Sequence, residues 1–285
     1  MTFETISEHR CYEGVQGFYR HSSTIIGLPM RFSVYRPPQA QRGPVPTLFY
    51  LAGLTGNEES FAAKGGAQRL AAQYGLMLVT CDTSPRNTGI AGEAADWEFG
   101  SGAGFYLTAT EEPWSRYFRM DQYVRDELRQ LVVSSFPANP RQLGIFGHSM
   151  GGHGALTLAL KNPDIYRSVS AFAPICSPSR CPWGLKAFPR YLGEDRSRWA
   201  QYDAVELVRA AARPLASSIL IDQGLSDKFL SAGQLLPQLF EEACRGVGQP
   251  LELRQHAGYD HNYYFISTFV GDHLAHHARA LAASQ

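Results

Sequence analysis

A serine flanked by glycines could carry out nucleophilic chemistry in this chain. The segment Gly147-His148-Ser149-Met150-Gly151 matches the pattern G-x-S-x-G and lies between the apolar run QLGIFG and the helix-like stretch GHGALTLALKNP. A serine at such a strand-to-helix turn has strained backbone that lifts its hydroxyl out of the sheet, and glycines are needed where side chains would collide. The helix after it directs N–H groups and the positive end of its dipole toward an oxyanion beside Ser149. The pattern therefore predicts that Ser149 is a nucleophile.

A serine nucleophile needs a general base and an acid that orients the base, and two later loops offer both. The loop after SSILID contains Asp222 at the strand end and Asp227 farther out. The loop after PLELRQ contains His256 and, beyond a Gly-Tyr-Asp turn, His261. Enzymes of the α/β-hydrolase fold carry their triad in the order Ser, Asp or Glu, His, with the last two in such loops. We favour Asp227 as the acid and His261 as the base, because Asp222 and His256 lie nearer the sheet.

The other histidines are predicted to have structural roles. His148 and His153 lie within or beside the serine motif, and His148 is expected to point away from the reacting atom. Three more histidines lie close together in the last helical stretch, where we expect a solvated helix face rather than a metal site: His273, His276 and His277.

Buried strands alternate with helical stretches along the chain, which favours a mostly parallel central sheet with helices on both faces. The predicted strands are residues 46–52, 76–81, 142–147, 168–174, 217–224 and 250–255, with residues 30–37 as an antiparallel edge. The predicted helices are residues 59–74, 117–135, 150–161, 203–211, 231–244 and 262–280. Two irregular regions, 83–116 and 174–202, are long enough to be active-site loops. We expect residues 1–285 to form a single α/β-hydrolase domain.

Composition limits the classes of partner. Lys plus Arg equals Asp plus Glu at 26 each, so there is no net field to attract nucleic acid or an anionic membrane. The five scattered cysteines indicate reduced thiols. The N-terminus does not have the pattern of a secretory signal, and no apolar run is long enough to span a membrane. We expect a cytoplasmic protein that acts on a small molecule.

The chain resembles the S-formylglutathione hydrolases, also called the esterase D family, over nearly its whole length. The segments that carry this resemblance include YLAGLTGNEESF (50–61), WEFGSGAGFYLTATEEPW (97–114), IFGHSMGGHGALTLALKNP (145–163), IDQGLSDKFL (221–230) and GYDHNYYFISTF (258–269). The resemblance implies an α/β-hydrolase that converts S-formylglutathione to glutathione and formate, the last step of glutathione-dependent formaldehyde detoxification, without metal or organic cofactor. It implies the same triad, Ser149, Asp227 and His261.

The resemblance also implies that the backbone N–H groups of Leu54 and Met150 form the oxyanion hole. A homodimer is expected by resemblance alone. One departure is visible, because many relatives carry cysteine where this chain has Gly56. This departure puts in doubt any inhibition by thiol reagents through that position.

A formyl group requires a cramped acyl pocket that rejects longer chains by steric overlap. Large residues of the two long loops are candidates for its lining: Trp97, Phe105, Trp183 and Phe188. Cations that could meet the carboxylates of glutathione are Lys64, Arg86, Arg180 and Lys186. Two alternatives stay open at this point, a general short-chain carboxylesterase and a non-catalytic binding module on the same fold.

Overall fold

The computed structural model describes residues 2–283, and over this range the strands form one nine-stranded sheet of order β1-β2-β3-β5-β4-β6-β7-β8-β9. The strands are β1 (Glu4–Cys11), β2 (Gly14–Ser22), β3 (Pro29–Arg36), β4 (Val45–Leu51), β5 (Met77–Cys81), β6 (Ala138–His148), β7 (Tyr166–Phe172), β8 (Ile219–Gly224) and β9 (Leu251–His256). From β5 to β9 neighbouring strands pair in parallel. The predicted α/β class with a mostly parallel central sheet is confirmed.

Helices flank the sheet. They are α1 (Glu58–Lys64), α2 (Gln68–Tyr74), α3 (Met120–Gln122), α4 (Arg129–Ser135), α5 (Met150–Lys161), α6 (Pro182–Leu192), α7 (Ala204–Ala210), α8 (Lys228–Ser231), α9 (Pro237–Val247) and α10 (Tyr263–Ala282). A π-helical segment, Tyr123–Leu128, joins α3 to α4, and short 3₁₀ helices cover Pro38–Gln41, Trp114–Arg116, Arg196–Arg198 and Ala200–Tyr202. Among the helices of residues 2–283, none is long and apolar enough to cross a membrane.

The central strands are buried along nearly their whole length, which explains their continuous apolar sequence. Because β4, β6, β8 and β9 run parallel to one another in one sheet, with β7 between β6 and β8, their carboxyl ends lie at the same edge. The loops that follow these ends carry Leu54, Ser149, Asp227 and His261. Strand direction thus brings four distant parts of the chain to one side of the molecule.

Strand β3 is antiparallel to β5, as predicted, but the prediction that it forms the sheet edge was wrong. A hairpin of β1 and β2 extends the sheet beyond β3. The hairpin turns at Tyr12 and Glu13, which both have positive φ (47° and 59°). Such turns normally carry Asn-Gly or Asp-Gly, so the sequence did not contain the usual hairpin signal.

Three helix predictions needed correction. The stretch predicted as one helix over 59–74 is divided into α1 and α2 by Gly65 and Gly66, the latter at φ +66°. The helix predicted over 231–244 begins only at Pro237, because Leu236 before that proline has left-handed backbone. Helix α6 lies inside the region predicted as irregular, and Pro182 in its first turn was the signal that could have located it.

The C-terminal histidines do not form a solvated face. His273 and His277 are fully buried where α10 packs on β7. His273 and His277 are four residues apart on the helix and face Ser168 and Ser170, which are two residues apart on the strand. Both rings hydrogen-bond to the Ser170 hydroxyl (2.8 and 2.9 Å), and His277 also bonds to the Ser168 hydroxyl (2.6 Å). His276 is partly buried, and one of its ring nitrogens lies 3.2 Å from the Val169 carbonyl oxygen.

Candidate active site

Ser149 lies at the turn between β6 and α5 in strained backbone. Its φ of 58° and ψ of −120° fall in a region that residues other than glycine rarely adopt. The turn is held by hydrogen bonds from the N–H of Ser149 to the Phe172 carbonyl (2.9 Å) and from the N–H groups of His153 and Ile175 to the Ser149 carbonyl (3.0 and 3.2 Å). The backbone is therefore fixed on both sides of the serine.

The glycines two positions before and after Ser149 are required by close backbone packing. A Cβ on Gly147 would lie 2.3 Å from the carbonyl oxygen of Gly151, and a Cβ on Gly151 would lie 1.9 Å from the carbonyl oxygen of Leu51. Both distances are far below van der Waals contact, and backbone atoms cannot move aside cheaply. The turn that raises Ser149 thus depends on glycine at both positions, as the sequence pattern predicts.

Asp227 and His261 are hydrogen-bonded to each other although 34 residues separate them in the chain. The His261 Nδ1 lies 2.5 Å from the Asp227 Oδ2. The carboxylate of Asp227 also accepts hydrogen bonds from the Phe229 N–H (2.8 Å) and the Gln223 side chain (3.3 Å). Burial raises the pKa of Asp227, but these hydrogen bonds, led by that from His261, outweigh burial and lower the pKa below its usual value. Asp227 is therefore a buried carboxylate that orients the imidazole.

A cavity of about 320 Å³ contains both Ser149 and His261 on its wall, between α1, α6 and the start of α10. Within residues 2–283 the Ser149 hydroxyl makes no hydrogen bond to another group, so it is available to a reactant in the cavity. Larger cavities elsewhere on the molecule contain neither residue. The serine, the imidazole and, behind it, the carboxylate thus meet at one concave surface.

The alternatives Asp222 and His256 belong to a different cluster. Asp222 is fully buried and receives two hydrogen bonds of 2.6 Å from the Arg254 guanidinium. The His273 ring donates to the same carboxylate at 3.2 Å, and the His256 Nε2 lies 3.1 Å from it. Burial opposes ionisation, but the bonds from His273 and Arg254 hold the pKa of Asp222 well below its usual range. Asp222 joins β8 to β9, below the loops that carry Asp227 and His261.

The loop after β4 places a second set of backbone groups at the cavity. Leu54 lies on its wall, and the N–H of Leu54 donates to no other group among the described residues. Met150 is the first residue of α5, so its N–H has no partner within the helix. Both N–H groups are free to act as oxyanion donors, which is the role expected for them from the resemblance.

Three of the predicted pocket residues lie on the cavity wall: Trp97, Trp183 and Lys64. The two indole rings meet edge to face with centroids 5.8 Å apart, and the Trp183 N–H donates to Glu98 at 2.7 Å. The wall is completed by aromatic residues that the sequence analysis did not single out, Phe229 and Tyr263. Each lies two positions after a triad residue, so proximity to Asp227 and His261 was the signal that could have found them.

The other three predicted pocket residues lie elsewhere. Phe105 and Phe188 are fully buried and pack against each other with ring centroids 6.1 Å apart, and neither lines the cavity. Arg86 lines a neighbouring cavity, where its guanidinium binds the Asp82 carboxylate and donates to the Gly56 carbonyl at 3.0 Å. These three predictions were wrong because position in a region without a clear sequence pattern does not determine which way a side chain points, and Phe188 in fact lies on α6 with its ring in the core.

His148 is closer to the site than the sequence analysis expected. It lines the cavity, and its ring centroid lies 4.3 Å from that of His261. Burial, and next the neighbouring His261, lower the pKa of His148 well below its ordinary value, so the ring is neutral. The expectation that it points away from the reacting group was wrong, because the turn places its side chain beside the base.

Comparison with known proteins agrees with this geometry. The family described as "Putative esterase" matches residues 23–276. The chain is 53% identical to the S-formylglutathione hydrolase of Mus musculus and 50% identical to that of Bos taurus, in each case over 99% of this chain and 100% of the relative. A solved S-formylglutathione hydrolase from Agrobacterium tumefaciens is 48% identical, with a TM-score of 0.94 over 97% of this chain and 99% of that one. The chain therefore belongs to the esterase family and, within it, to the S-formylglutathione hydrolases.

Proposed function

We propose that this protein is a serine thioesterase that hydrolyses S-formylglutathione to glutathione and formate through a formyl-enzyme on Ser149. The substrate assignment rests on sequence identity: the chain is 53% and 50% identical, over nearly its full length, to relatives named for this reaction. The cavity by itself supports acyl transfer from any small ester or thioester. The aromatic residues of the wall, Trp97, Trp183 and Phe229, also favour a small acyl group, because bulky rings at the wall reduce the room for a longer chain.

In the proposed acylation step the Ser149 oxygen attacks the formyl carbon while His261 removes the hydroxyl proton. Asp227, bonded to Nδ1, fixes the tautomer in which the other ring nitrogen accepts that proton and stabilises the imidazolium that forms. The developing oxyanion is received by the N–H groups of Leu54 and Met150. Collapse of the tetrahedral intermediate breaks the carbon–sulfur bond and releases glutathione as a thiolate, and the imidazolium of His261 then gives its proton to that thiolate or to solvent, so that the base is neutral before deacylation.

Deacylation follows the same route with water as the nucleophile. His261 takes a proton from water, the hydroxide adds to the formyl ester, and the Ser149 oxygen leaves with the proton returned by His261.

The thiol that leaves in the acylation step needs little protonation, because a cysteine-type thiol has a pKa of about 8.5. Thioesters and activated oxygen esters should therefore both acylate Ser149.

The test is a comparison of purified parent enzyme on S-formylglutathione and on 4-nitrophenyl acetate. We expect kcat/KM to be higher for the thioester, and Ser149→Ala to lower kcat on both substrates by about six orders of magnitude, since nucleophile and base act as one unit. Ser135→Ala, the same change at an exposed position at the end of α4 and off the cavity wall, serves as the matched control that retains activity. Equal or better turnover of the simple ester by the parent would favour a general carboxylesterase. Residual activity of Ser149→Ala within tenfold of the parent would refute the nucleophile.

Two expectations accompany the proposal, a cytoplasmic location and a homodimer. Both stay predictions. Cell fractionation tests the first, and light scattering coupled to size-exclusion chromatography tests the second.

A further inference from the structure

Lys64 is the one residue on the cavity wall with a side chain that is always cationic, within residues 2–283. No aspartate or glutamate lies on that wall among the described residues. Among the described residues of that wall, His261 is the other group that takes up a positive charge during turnover. An anionic reactant thus meets attraction from Lys64 without repulsion from a carboxylate on the same surface.

The other cations proposed from the sequence are already paired with protein carboxylates. The pairs are Arg86 with Asp82 (2.9 Å), Arg180 with Glu206 (2.6 Å), and Lys186 with Asp96 and Glu98 (2.5 and 2.6 Å). Lys64 is exposed and makes no ion pair in the described chain; its ammonium lies 5.7 Å from the centroid of the Tyr263 ring. Lys64 can therefore bind an anionic ligand without first breaking an ion pair within the protein.

The position of Lys64 suits the length of the γ-glutamyl arm of glutathione. Helix α1 begins directly after the loop that carries Leu54, with Asn57 as its N-cap, and Lys64 is its last residue. Seven helical residues span about 10 Å. In S-formylglutathione the acyl group is on the thiol of the central residue, and an extended γ-glutamyl arm places its carboxylate about 10 Å from that sulfur. A substrate whose acyl carbonyl lies at the oxyanion loop can thus extend a terminal carboxylate along α1 to Lys64.

We infer that Lys64 is a specificity-determining residue that binds a carboxylate of the thiol half of the substrate. This inference rests on the proposed function for the identity of that substrate. It assigns to one side chain the preference for a charged glutathione thioester over a neutral ester. The contact lies far from the reacting carbonyl, so it contributes mainly to KM.

The experiment measures kcat and KM of the parent and of Lys64→Met, Lys64→Glu and Lys64→Arg on S-formylglutathione and on neutral 4-nitrophenyl acetate. We expect KM for the thioester to rise about fivefold in Lys64→Met, as for loss of one partly screened ion pair, and more in Lys64→Glu. Lys64→Arg should stay near the parent. The ratio of kcat/KM for the two substrates should fall in the same order. Arg69→Glu, an equal charge change at an exposed position on α2 outside the cavity wall, is the matched control.

A second measurement separates this inference from the proposed function. Glutathione itself is used as a competitive inhibitor of 4-nitrophenyl acetate hydrolysis by the same variants. If the parent fails to hydrolyse S-formylglutathione, the proposed function is wrong, but weaker inhibition of Lys64→Glu than of Arg69→Glu still supports the carboxylate contact. The inference is overturned if Lys64→Glu and Arg69→Glu have the same KM for the thioester and the same inhibition constant for glutathione.

Discussion

The ring of His148 lies against the ring of His261, with centroids 4.3 Å apart. The residue before the proposed nucleophile thus packs against the proposed general base. On its other side His261 meets Phe229 edge to face at 4.8 Å. Two rings thus hold the base while Asp227 fixes its tautomer. A neutral neighbour is required here, because a charged ring would oppose the imidazolium that forms during turnover.

This contact predicts that His148→Ala lowers kcat about tenfold with little change in KM, because the imidazole gains freedom to leave its productive orientation. His148→Phe keeps a ring of similar size and should recover most of the loss. Since the pKa of His148 already lies well below its ordinary value, the acid limb of the pH–rate profile should not move in His148→Phe. Steady-state kinetics from pH 5.5 to 8.5 would check both points, and a shifted acid limb would contradict the neutral ring.

Replacing Asp227 by asparagine is expected to impair catalysis, whereas replacing Asp222 by asparagine is expected to impair stability. Asp227→Asn removes the charge bonded to Nδ1 and should lower kcat by about four orders of magnitude while the fold persists. Asp222→Asn breaks a buried ion pair with Arg254 and should cost about 3 kcal/mol of stability with a far smaller loss of kcat. Urea unfolding together with kinetics of both variants distinguishes them. If Asp222→Asn were the catalytically dead variant, the acid would be at the strand end.

Arg86 is predicted to position the oxyanion loop. Its guanidinium, held by Asp82, donates to the Gly56 carbonyl at 3.0 Å, and the Thr83 hydroxyl donates to the same carbonyl at 2.7 Å. These bonds restrain a loop in which Thr55 has a φ of 67°. Arg86→Ala should therefore lower kcat about tenfold on thioester and ester alike, with KM unchanged.

The control for Arg86 is Arg180→Ala, which breaks an ion pair with Glu206 away from the cavity and should leave kcat near the parent value. A rise in KM confined to S-formylglutathione would mean instead that Arg86 meets the substrate.

Several parts of the site could be predicted because local physics determines them. The glycines around Ser149 leave one tight turn available, and strand order places Asp227 and His261 at the same sheet edge. Phe105 and Phe188 could not be assigned from sequence, because an aromatic residue in a region without a clear pattern has the same composition signal whether it lines a cavity or fills the core. The solvated face predicted for His273 and His277 was wrong because the serines that hydrogen-bond to their rings lie more than 100 residues earlier, on β7.

The buried histidines predict loss of stability in mild acid. Burial lowers the pKa of His153 to about 4 and that of His276 to about 4, and it holds the pKa of His277 well below its ordinary value. The unfolded chain takes up these protons near pH 6.5 while the folded chain does not. Stability is therefore fully present above about pH 6.5 and declines as the pH falls toward 4, by roughly tenfold in the folding constant per pH unit for each such histidine.

Urea unfolding at pH 7.5, 6.0 and 5.0 measures this decline. His277→Asn, which keeps polar groups near Ser168 and Ser170 but cannot be protonated, should be less stable at neutral pH and have a shallower dependence on pH. An unchanged slope in that variant would exclude His277 as a contributor.

The cysteines predict resistance to thiol reagents. Cys81, Cys176, Cys181 and Cys244 are buried, and burial raises the pKa of each thiol, while Cys11 lies on β1 away from the cavity. Few thiolates are thus exposed, and none of the five is on the cavity wall, so N-ethylmaleimide should leave parent activity intact.

Gly56→Cys restores the residue that many relatives are expected to carry, and it places a thiol on the cavity wall. A Cβ there would lie 2.8 Å from the Ala52 Cβ and 3.0 Å from the Gly53 carbonyl oxygen, so the loop must shift and kcat should fall even before alkylation. N-ethylmaleimide should then abolish the remaining activity, because the adduct blocks the oxyanion loop. Gly246→Cys, exposed on α9 with open space around it, should be alkylated without loss of activity. Equal sensitivity of the two variants would show that residue 56 does not face the reacting group.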